Sequence, residues 1–599
     1  MKKNYNNKIK DILSKELLVP DYYQASNIIK ENFKKNKKNI FFLCSYTFEM
    51  IEQFIIVESF KKDMNLNIKF SEYNQFEKYI FDNKSLIYKK NNDLIILSIR
   101  IDEILPEFNY EFGSYNKAQI SKKRILIINY FKKLLSKIRN HTNATILLHN
   151  FVYPKFIEKN LTDHQNDNGQ INFINSLNKE LAILIKSYIG IYIFDINYYI
   201  YQYGENNVYD NKLYYYASIP FKANFLKFLS KKYSDYFSSI FLGRKKCLII
   251  DLDNTIWGGI IGEDGINGIK LGDSYPGNVY LDIQKTIKQI SQNGILLAIN
   301  SKNNYFDIEQ VFKNHPNMAL KMDDFSSIKI NWSEKHDNMM EISKELRIDP
   351  NSFVFIDDSL IEIEKINITL PNIETIHFST SAIEENLNKI SNCSYFNSIN
   401  ITDEDRKKTI QYKDQKTRLL LKNNINSLKK YYFNLNLNIK IMKSNDYLIP
   451  RISQLTLKTN QFNLTTKRYT ESDILKYTKK KNYYVYCLEV KDKIGDYGIT
   501  GVIIGYKDKS KLIIDTFLLS CRIIGRGIEN AFLSQFLKAA LDKDVKKIIG
   551  EYFPTKKNDL VKNFYKDCGF KKNKGYWELN SKKLIKFPQW IKINIDNKI

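Results

Sequence analysis

The chain has 599 residues, 43% hydrophobic and 14% aromatic, which is too long for one core and supplies enough apolar material for three or four domains. Its formal net charge of +26 comes from basic residues spread along the chain, with no basic stripe and no nucleic-acid-binding module, so no nucleic-acid partner is predicted. The start of the chain is basic but has no apolar signal-peptide core, and no apolar run is long enough to span a membrane. The six cysteines lack metal-ligand spacing. These features together predict a cytoplasmic protein.

Strand-like and helix-length segments alternate along most of the chain. In residues 39–244 the runs IFFLCS, LIILSI, TILLHN and IYIFDI predict a first α/β domain. A second α/β domain is predicted for 245–392, where KKCLIIDLD, ILLAINS and SFVFIDD each end in polar residues. Residues 393–433 contain a charged, helix-favouring run that is typical of a solvated spacer helix. A last α/β domain is predicted for 434–599, which makes the chain an α/β multidomain protein.

Two aspartates follow the first apolar run of the second domain. The run Leu248–Ile250 predicts a buried strand, and Asp251 and Asp253 come directly after its carboxyl end, where ligands bind in open α/β sheets. Two carboxylates so close repel each other unless a cation lies between them, and Mg²⁺ suits oxygen ligands. Taken alone, a DxD spacing more often belongs to a polar turn that carries two acids.

Further polar residues follow the next strands in a fixed order. After the aspartates of IIDLDNT come a serine in LLAINSKNN, a lysine in NWSEKHDN and an acidic pair in VFIDDS. This order resembles the signature of the haloacid dehalogenase (HAD) superfamily, which is DxDxT, then Ser or Thr, then Lys, then two acids. The residues that carry the resemblance are Asp251, Asp253, Thr255, Ser301, Lys335, Asp357 and Asp358.

The resemblance implies a phosphatase site with assigned roles. Asp251 would be the nucleophile, and Asp253 would protonate the leaving oxygen and then deprotonate the attacking water. Ser301 and Lys335 would hold the phosphate oxygens, and Thr255 completes the catalytic set. The implied magnesium ligands are Asp251, Asp253 through its backbone carbonyl, Asp357 and Asp358.

Short spacings leave little room for a lid over this site. Only 46 residues separate Thr255 from Ser301, and 34 separate Ser301 from Lys335. Neither interval accommodates a sizeable cap domain, so we expect a HAD-type parallel sheet with an open site. An open site suits a bulky or carrier-bound substrate.

Longer strings narrow the resemblance to the FkbH-like branch of the superfamily. WGGIIGEDGINGIKLG, SKNN, NWSEKHDNM and FIDDSLIEIE resemble that branch, although its usual DDNPxERE tail is here DDSLIEIE from Asp357 onward. The branch is associated with polyketide biosynthesis. Its members take a phosphoglyceryl unit from 1,3-bisphosphoglycerate, remove the phosphate and place the glyceryl group on an acyl-carrier protein. The resemblance thus implies a phosphorylated small-molecule acyl donor and an acyl-carrier protein as partners.

The carboxyl-terminal domain contains a glycine-rich loop. RIIGRG follows a predicted strand and opens a helix, where backbone N–H groups can face an anion. This short motif alone is more often a plain turn. Together with NFYKDCGF further on, it resembles the GNAT acyltransferase fold, in which this loop binds the pyrophosphate of coenzyme A. Carrier-bound phosphopantetheine has the same thiol arm. The implied cofactor-binding residues are Arg522, Gly525, Arg526 and Gly527.

A cysteine lies directly before this loop. Cys521, at a predicted strand end beside Arg522 and a helix amino terminus, is placed where a thiol pKa is lowered, and we expect it to carry the acyl group transiently. Cys247 is the rival acyl carrier, but its place within a predicted strand favours a packing role.

The first domain resembles the SGNH-hydrolase-type domain of the same family. IFFLCSYTFEM, TILLHNF and VYDNKLYYYASIPF carry this resemblance. Hydrolysis would require Ser45 with a late Asp-x-x-His, yet no histidine follows Asp210 in this domain. We therefore expect a non-hydrolytic domain that docks the carrier.

The predicted activity is a phosphatase fused to an acyltransferase that loads a glyceryl group on a carrier thiol. Two alternatives remain. One is a CoA-dependent N-acyltransferase with a phosphatase, acting in surface-polysaccharide or sugar-nucleotide synthesis. The other is a catalytically dead binding scaffold.

Overall fold

A computed structural model describes Ile12 and residues 16–595 except 90, 91, 424, 426, 556 and 574. The prediction on the basic amino terminus, MKKNYNNKIKDILSKELL, therefore falls largely outside the described residues. The chain divides into two compact units, one formed by residues up to 241 together with 469–476, the other by 242–468 together with the residues from 477 onward.

The first unit is built on a five-stranded sheet in which every strand is parallel to its neighbours. Its strand order is β2-β1-β3-β4-β5. The central strands are buried on both faces, as their continuous apolar runs predict. The strands are β1 (Lys38–Cys44), β2 (Leu66–Phe70), β3 (Leu94–Ser98), β4 (Thr145–His149) and β5 (Ile191–Phe194). The α-helices are Val19–Asn32, Glu52–Lys61, Phe76–Phe81, Leu86–Lys89, Ile101–Ile104, Lys117–His141, Gln170–Ile185, Ile196–Tyr203, Asn211–Ala217 and Ala223–Phe241.

The second unit begins with another five-stranded parallel sheet. Its order is β10-β9-β6-β7-β8, so β6 lies at the centre between β9 and β7. The strands are β6 (Cys247–Ile250), β7 (Leu296–Ser301), β8 (Phe325–Ile330), β9 (Phe353–Asp357) and β10 (Glu374–His377). The α-helices are Ile261–Gly268, Gly277–Gln292, Tyr305–Asn314, Lys335–Leu346, Leu360–Thr369 and Ile383–Ser391.

The segments between the catalytic motifs belong to this sheet and its helices. Residues 252–334, all of which the structure describes, form three helices, β7, β8 and their connections. No inserted domain is present in this stretch. The expected parallel sheet without a large cap is confirmed for these residues.

The predicted connector is helical but is not the solvated spacer that its composition suggested. Its helices are Asp403–Arg406, Lys408–Asn423 and Leu428–Leu435. Asp405 and Arg418 are almost fully buried. The carboxylate of Asp405 lies 2.9 Å from the guanidinium of Arg244, and Arg418 donates two 2.8 Å hydrogen bonds to Asp492. Charged side chains satisfied by ion pairs with distant segments can be packed inside, which composition alone does not reveal.

The last sheet is mixed, with the order β17-β18-β16-β15-β14-β13-β11-β19. Parallel pairing of β15 with β16 covers only residues 511–514 of β15, and β12 pairs with the end of β15 at residues 518 and 519. The strands are β11 (Leu437–Lys443), β12 (Phe462–Asn463), β13 (Tyr483–Lys491), β14 (Asp496–Asp508), β15 (Lys511–Leu519), β16 (Lys547–Gly550), β17 (Lys571–Asn573), β18 (Tyr576–Asn580) and β19 (Ile591–Ile595). The α-helices are Ile449–Lys458, Glu471–Lys479, Ile528–Ala540 and Phe564–Asp567.

Three α/β sheets therefore follow one another along the chain, and the predicted α/β fold class is confirmed. All six cysteines are free thiols. None of the helices in the part of the chain that the structure describes has both the length and the apolar character needed to cross a bilayer.

Candidate active site

Three carboxylates meet at the carboxyl edge of the second parallel sheet. Asp251 directly follows β6, Asp357 is the last residue of β9, and Asp358 comes next. Oxygen atoms of the three side chains all lie within 4.8 Å of one another. Because β6 and β9 are parallel neighbours, their carboxyl ends bring these acids together, as the sequence predicted.

A buried lysine links two of these acids. Lys335 is the first residue of the helix Lys335–Leu346, and its Nζ donates to Asp251 Oδ1 at 2.8 Å and to Asp357 Oδ2 at 2.5 Å. Burial alone would lower the pKa of Lys335, but the carboxylates of Asp251 and Asp357 outweigh it and raise this pKa above its ordinary value. The ammonium group is therefore held in its charged form beside the nucleophile candidate.

The single ammonium does not balance the negative charge of this cluster. Burial raises the pKa of Asp357 to about 7, with a further contribution from the charge of Asp251, and the same two causes raise the pKa of Asp358. Three crowded carboxylates are the hard oxygen ligands that Mg²⁺ prefers. The donor set of Asp251, Asp357 and Asp358 therefore fits a magnesium ion.

Asp253 faces a different set of partners. Its Oδ1 accepts hydrogen bonds from Trp257 Nε1 at 2.9 Å and from the backbone N–H of Ile261 at 3.2 Å. Its Oδ2 accepts one from Asn303 Nδ2 at 3.0 Å. Burial raises the pKa of Asp253, which favours a carboxyl group that can give up a proton during a reaction. Its carboxylate is not part of the three-acid cluster.

Ser301 is joined to Asp253 through the same asparagine. Asn303 Nδ2 also lies 3.1 Å from Ser301 Oγ, at the end of β7. Thr255 is fully buried, and its Oγ1 has no hydrogen-bond partner among the described residues. Sequence reasoning missed Asn303, although its place two residues after Ser301 in the SKNN string was visible.

The turn after Asp253 is shaped by Asn254, another residue that sequence reasoning missed. Asn254 has φ of +53°, and its Oδ1 accepts a hydrogen bond from the backbone N–H of Gly259 at 2.8 Å. Asparagine tolerates this left-handed conformation better than most residues. The side chain therefore ties the residue after Asp253 to the backbone of Gly259 and closes the turn between them.

Two buried asparagines position Lys335. Asn300 Nδ2 donates to the backbone carbonyl of Lys335 at 2.8 Å, and Asn338 Nδ2 donates to Asn300 Oδ1 at 3.1 Å. Both asparagines are buried. No spacing in the sequence indicates this network, because its members come from β7 and from the helix that Lys335 begins.

Asn338→Ala is expected to lower the free energy of unfolding by about 1–3 kcal/mol, because Asn300 Oδ1 loses its buried donor. The rate of phosphate release should fall as well, since Lys335 is less firmly held. Urea unfolding and a phosphate assay measure the two effects. The matched control is Lys344→Ala, an exposed position on the same helix. Equal unfolding midpoints for the two variants would contradict the positioning role.

Cys521 lies at the other edge of the same sheet. It follows β15, and its Sγ donates to the backbone carbonyl of Arg347 at 3.0 Å. Arg347 precedes β9, whereas Asp357 ends it, so the thiol is at the amino edge of the sheet and the carboxylates are at the carboxyl edge. Cys521 is partly exposed and Cys247 is buried, as predicted for the rival cysteine.

The glycine-rich loop has the predicted backbone but inward-facing arginines. Gly525 and Gly527 have φ of +78° and +79°, which glycine adopts readily, and Gly527 is the N-cap residue of the helix Ile528–Ala540. Arg522 and Arg526 are each only 6% exposed. Arg522 donates to Gln411 and Arg526 to the hydroxyl of Tyr497. Cofactor binding by these four residues stays a prediction. Their backbone N–H groups, and not the buried guanidinium groups, would bind the anion.

Ser45 and His149 of the first unit have separate hydrogen-bond partners. Ser45 Oγ accepts a hydrogen bond from the backbone N–H of Arg100 at 3.0 Å. His149, at the end of β4, instead lies 2.8 Å from Ser98 Oγ and 2.5 Å from the hydroxyl of Tyr233. Burial lowers the pKa of His149 to about 3. It therefore stays neutral inside the unit, and the lack of hydrolytic activity in this unit stays a prediction.

Comparison with known proteins finds one family match and several structural matches. Residues 43–238 match the family model described as FkbH, N-terminal domain. The N-terminal part of the protein BF1531 from Bacteroides fragilis, a structure that contains a phosphatase domain and Mg, is 24% identical to the chain. The match has a TM-score of 0.54 and covers 62% of this chain and 98% of that one. At this identity the likeness establishes a shared fold.

Smaller matches involve acetyltransferases. A point mutant of spermidine N-acetyltransferase SpeG from Vibrio cholerae is 12% identical, with a TM-score of 0.19, covering 24% of this chain and 94% of that one. Ard1 from Thermoplasma volcanium is 19% identical, with a TM-score of 0.19, covering 24% of this chain and 97% of that one. No curated protein sequence matches the chain significantly.

Proposed function

We propose that this chain, an FkbH-like protein, is a Mg²⁺-dependent phosphatase fused to an acyltransferase. It would move a phosphorylated three-carbon acyl unit, glyceryl from 1,3-bisphosphoglycerate, to an acyl-carrier-protein thiol with loss of phosphate. The observation that carries the proposal is the meeting of Asp251, Lys335, Asp357 and Asp358 at one sheet edge beside Asp253. A scaffold with dead sites would have no need of this arrangement.

The phosphatase step follows from the contacts at that edge. Asp251 attacks the phosphorus atom and Lys335 holds a phosphate oxygen through its charge. Asp253, whose pKa is raised by burial, donates a proton to the leaving oxygen and later takes one from the attacking water. Mg²⁺ held by Asp251, Asp357 and Asp358 would neutralise charge on the phosphate. Ser301 would donate a hydrogen bond to a phosphate oxygen.

The acyl-transfer step uses the thiol of Cys521. Its thiolate attacks the carbonyl carbon of the acyl phosphate, the new C–S bond forms a thioester, and the C–O bond to the phosphate breaks. The phosphate leaves with the electron pair of that bond. The carrier thiol then attacks the thioester, the C–S bond to Cys521 breaks, and the proton of the carrier thiol passes to the leaving Cys521 sulfur, which restores its thiol. Neither exchange requires an oxidant or reductant.

The Cys521 thiol and the three-carboxylate site lie at opposite edges of the parallel sheet, and the length of a strand separates them. Lys246 and Asp251 flank β6, so about 16 Å of strand lies between the amino and carboxyl edges. An acyl group on Cys521 cannot lie at Asp251 at the same time. We infer that the phosphorylated acyl group leaves Cys521 on the carrier arm before its phosphate is removed.

The decisive experiment is intact mass spectrometry of the protein with Mg²⁺, 1,3-bisphosphoglycerate and a candidate acyl-carrier protein. A glyceryl adduct on the carrier, with release of inorganic phosphate, is the expected result. Phosphate release without an adduct would favour the CoA-dependent N-acyltransferase. Neither product would leave the scaffold as the better interpretation.

A further inference from the structure

A cavity of about 90 Å³ lies inside the second unit, beside Cys521. Residues that precede β6 and β9 line it from the amino edge of the parallel sheet, and the helix Ile449–Lys458 and the end of β15 line it from the other side. We call it the cation cavity, because six of its lining residues are basic: Lys246, Arg347, Lys408, Arg451, Lys458 and Arg522.

Acidic residues do not balance this charge. Among the described residues, the only acidic one that lines the cavity is Asp349, which forms an ion pair with Lys557 at 3.0 Å. Just outside the lining, Asp405 lies 3.0 Å from the ammonium of Lys408 and 3.7 Å from that of Lys458, and it also pairs with Arg244. One buried carboxylate is thus shared among several cations.

The other lining cations form no ion pair with a carboxylate in the part of the chain that the structure describes. Arg451 donates to the backbone carbonyl of Ile499, and Lys246 donates to that of Lys458 at 2.5 Å. Lys458 Nζ is itself buried and has no hydrogen-bond acceptor among the described residues. A donor of this kind costs free energy unless a ligand accepts its hydrogen bond.

Burial lowers the pKa of three lysines that line the cavity. Burial lowers the pKa of Lys408 to about 7 against the attraction of Asp405, and burial together with the charge of Lys408 lowers the pKa of Lys458 well below its ordinary value. Burial also lowers the pKa of Lys246. An anion in the cavity would replace the water that these lysines lose on burial, and it would favour their charged ammonium forms.

Cys521 connects this cavity to the proposed chemistry. It is one of the lining residues, and its Sγ donates to the backbone carbonyl of Arg347, whose Nη1 lies 3.4 Å from the carbonyl of Cys521. The cavity volume equals about six water-sized sites, which is enough for a phosphate group. Guanidinium groups and ammonium groups are the usual protein ligands of phosphate.

We propose that the cation cavity binds the phosphate group of a small phosphorylated acyl compound next to the Cys521 thiol, at a site separate from the three carboxylates. The identity of the compound as the acyl donor rests on the proposed function. The affinity of the cavity for anions does not, and it can be measured without any acyl transfer.

The test compares alkylation of thiols by anionic iodoacetate and neutral iodoacetamide. The full-length protein is treated in EDTA, and peptide mass spectrometry measures the rates at Cys521 and at Cys393, the other partly exposed cysteine. The iodoacetate-to-iodoacetamide rate ratio should be about tenfold higher at Cys521, because the cavity attracts the anion. In the unmodified protein, inorganic phosphate should slow the alkylation of Cys521 by iodoacetamide and leave the alkylation rate of Cys393 unchanged.

Matched variants assign the effect to the cavity. Lys458→Met should bring the ratio at Cys521 close to that at Cys393, whereas Lys285→Met, which removes an exposed lysine, should not. Asp251→Asn should leave the ratio unchanged, since it alters the other sheet edge. Equal ratios at both cysteines without protection by phosphate would overturn the cavity proposal. If the alkylation ratio at Cys521 is high and phosphate protects this thiol, but the carrier is not loaded, the proposed function alone would be overturned.

Discussion

Asp251→Asn is expected to lower the rate at which phosphate is removed from the carrier-bound acyl group by about 10⁴- to 10⁶-fold, the loss that follows removal of a catalytic nucleophile or its partner. The amide cannot attack phosphorus, and it also removes one of the three carboxylates that fit Mg²⁺. Continuous measurement of inorganic phosphate with 1,3-bisphosphoglycerate, Mg²⁺ and the carrier requires a correction, because acyl transfer also releases phosphate. The phosphate retained on the carrier adduct is therefore the cleaner readout.

On this readout, Asp251→Asn should accumulate a carrier that bears the phosphorylated acyl group, whereas the unmodified protein yields the dephosphorylated adduct. Asp253→Asn should show a smaller loss of phosphate removal, about 10²- to 10⁴-fold, because only proton transfer is impaired. Cys521→Ser should give no carrier adduct in either form. If Asp251→Asn still produced dephosphorylated carrier at the normal rate, the nucleophile would have to be sought elsewhere.

The carboxylate site could be predicted from sequence because its residues follow strands. Asp251, Ser301 and Asp357 each stand at the carboxyl end of a short apolar run, and parallel strands collect those ends at one edge. The local pattern therefore encodes the position of each residue in the site. Lys335 was found only through its order among the motifs, since it begins a helix and is no strand residue.

The residues around those motifs could not be predicted in the same way. Asn300 and Asn338 matter through hydrogen bonds between a strand and a helix that are far apart in sequence. Nothing in the charged run of the connector shows that Arg418 meets Asp492, and the spacer interpretation was wrong for that reason. Burial of a charge depends on which partner the fold brings to it.

The cation cavity was likewise invisible in the sequence. Its basic residues come from the starts of two strands, from a connector helix and from the last domain, and each looks like an ordinary surface lysine or arginine. The net charge of the whole chain, spread as it is, hides such a cluster. Only the packing of the last sheet against the amino edge of the parallel sheet assembles it.

Lys335→Met should destabilise the metal-free protein by about 3–5 kcal/mol, the cost of leaving buried charges without their partner. The ammonium contacts Asp251 and Asp357, and both stay buried when it is removed. The carboxyl group of Asp357, whose pKa burial already raises to about 7, would then be forced toward the neutral form, so the destabilisation should shrink as the pH falls. Urea unfolding in EDTA measures the loss, with the exposed Lys344→Met on the same helix as control.

Magnesium should offset much of this loss, because a divalent cation among the three carboxylates supplies the positive charge that the lysine gave. At a Mg²⁺ concentration one hundred times the dissociation constant, binding to the folded state raises the free energy of unfolding by about 2.7 kcal/mol. The variant should therefore gain more stability from Mg²⁺ than the unmodified protein does, while its rate of phosphate removal stays lower by about 10²- to 10³-fold. A variant that is stable in EDTA and indifferent to Mg²⁺ would show that the three acids do not form a cation site. Stability and activity thus separate the two roles of Lys335, since Mg²⁺ can replace its charge beside the carboxylates but not its contact with a phosphate oxygen.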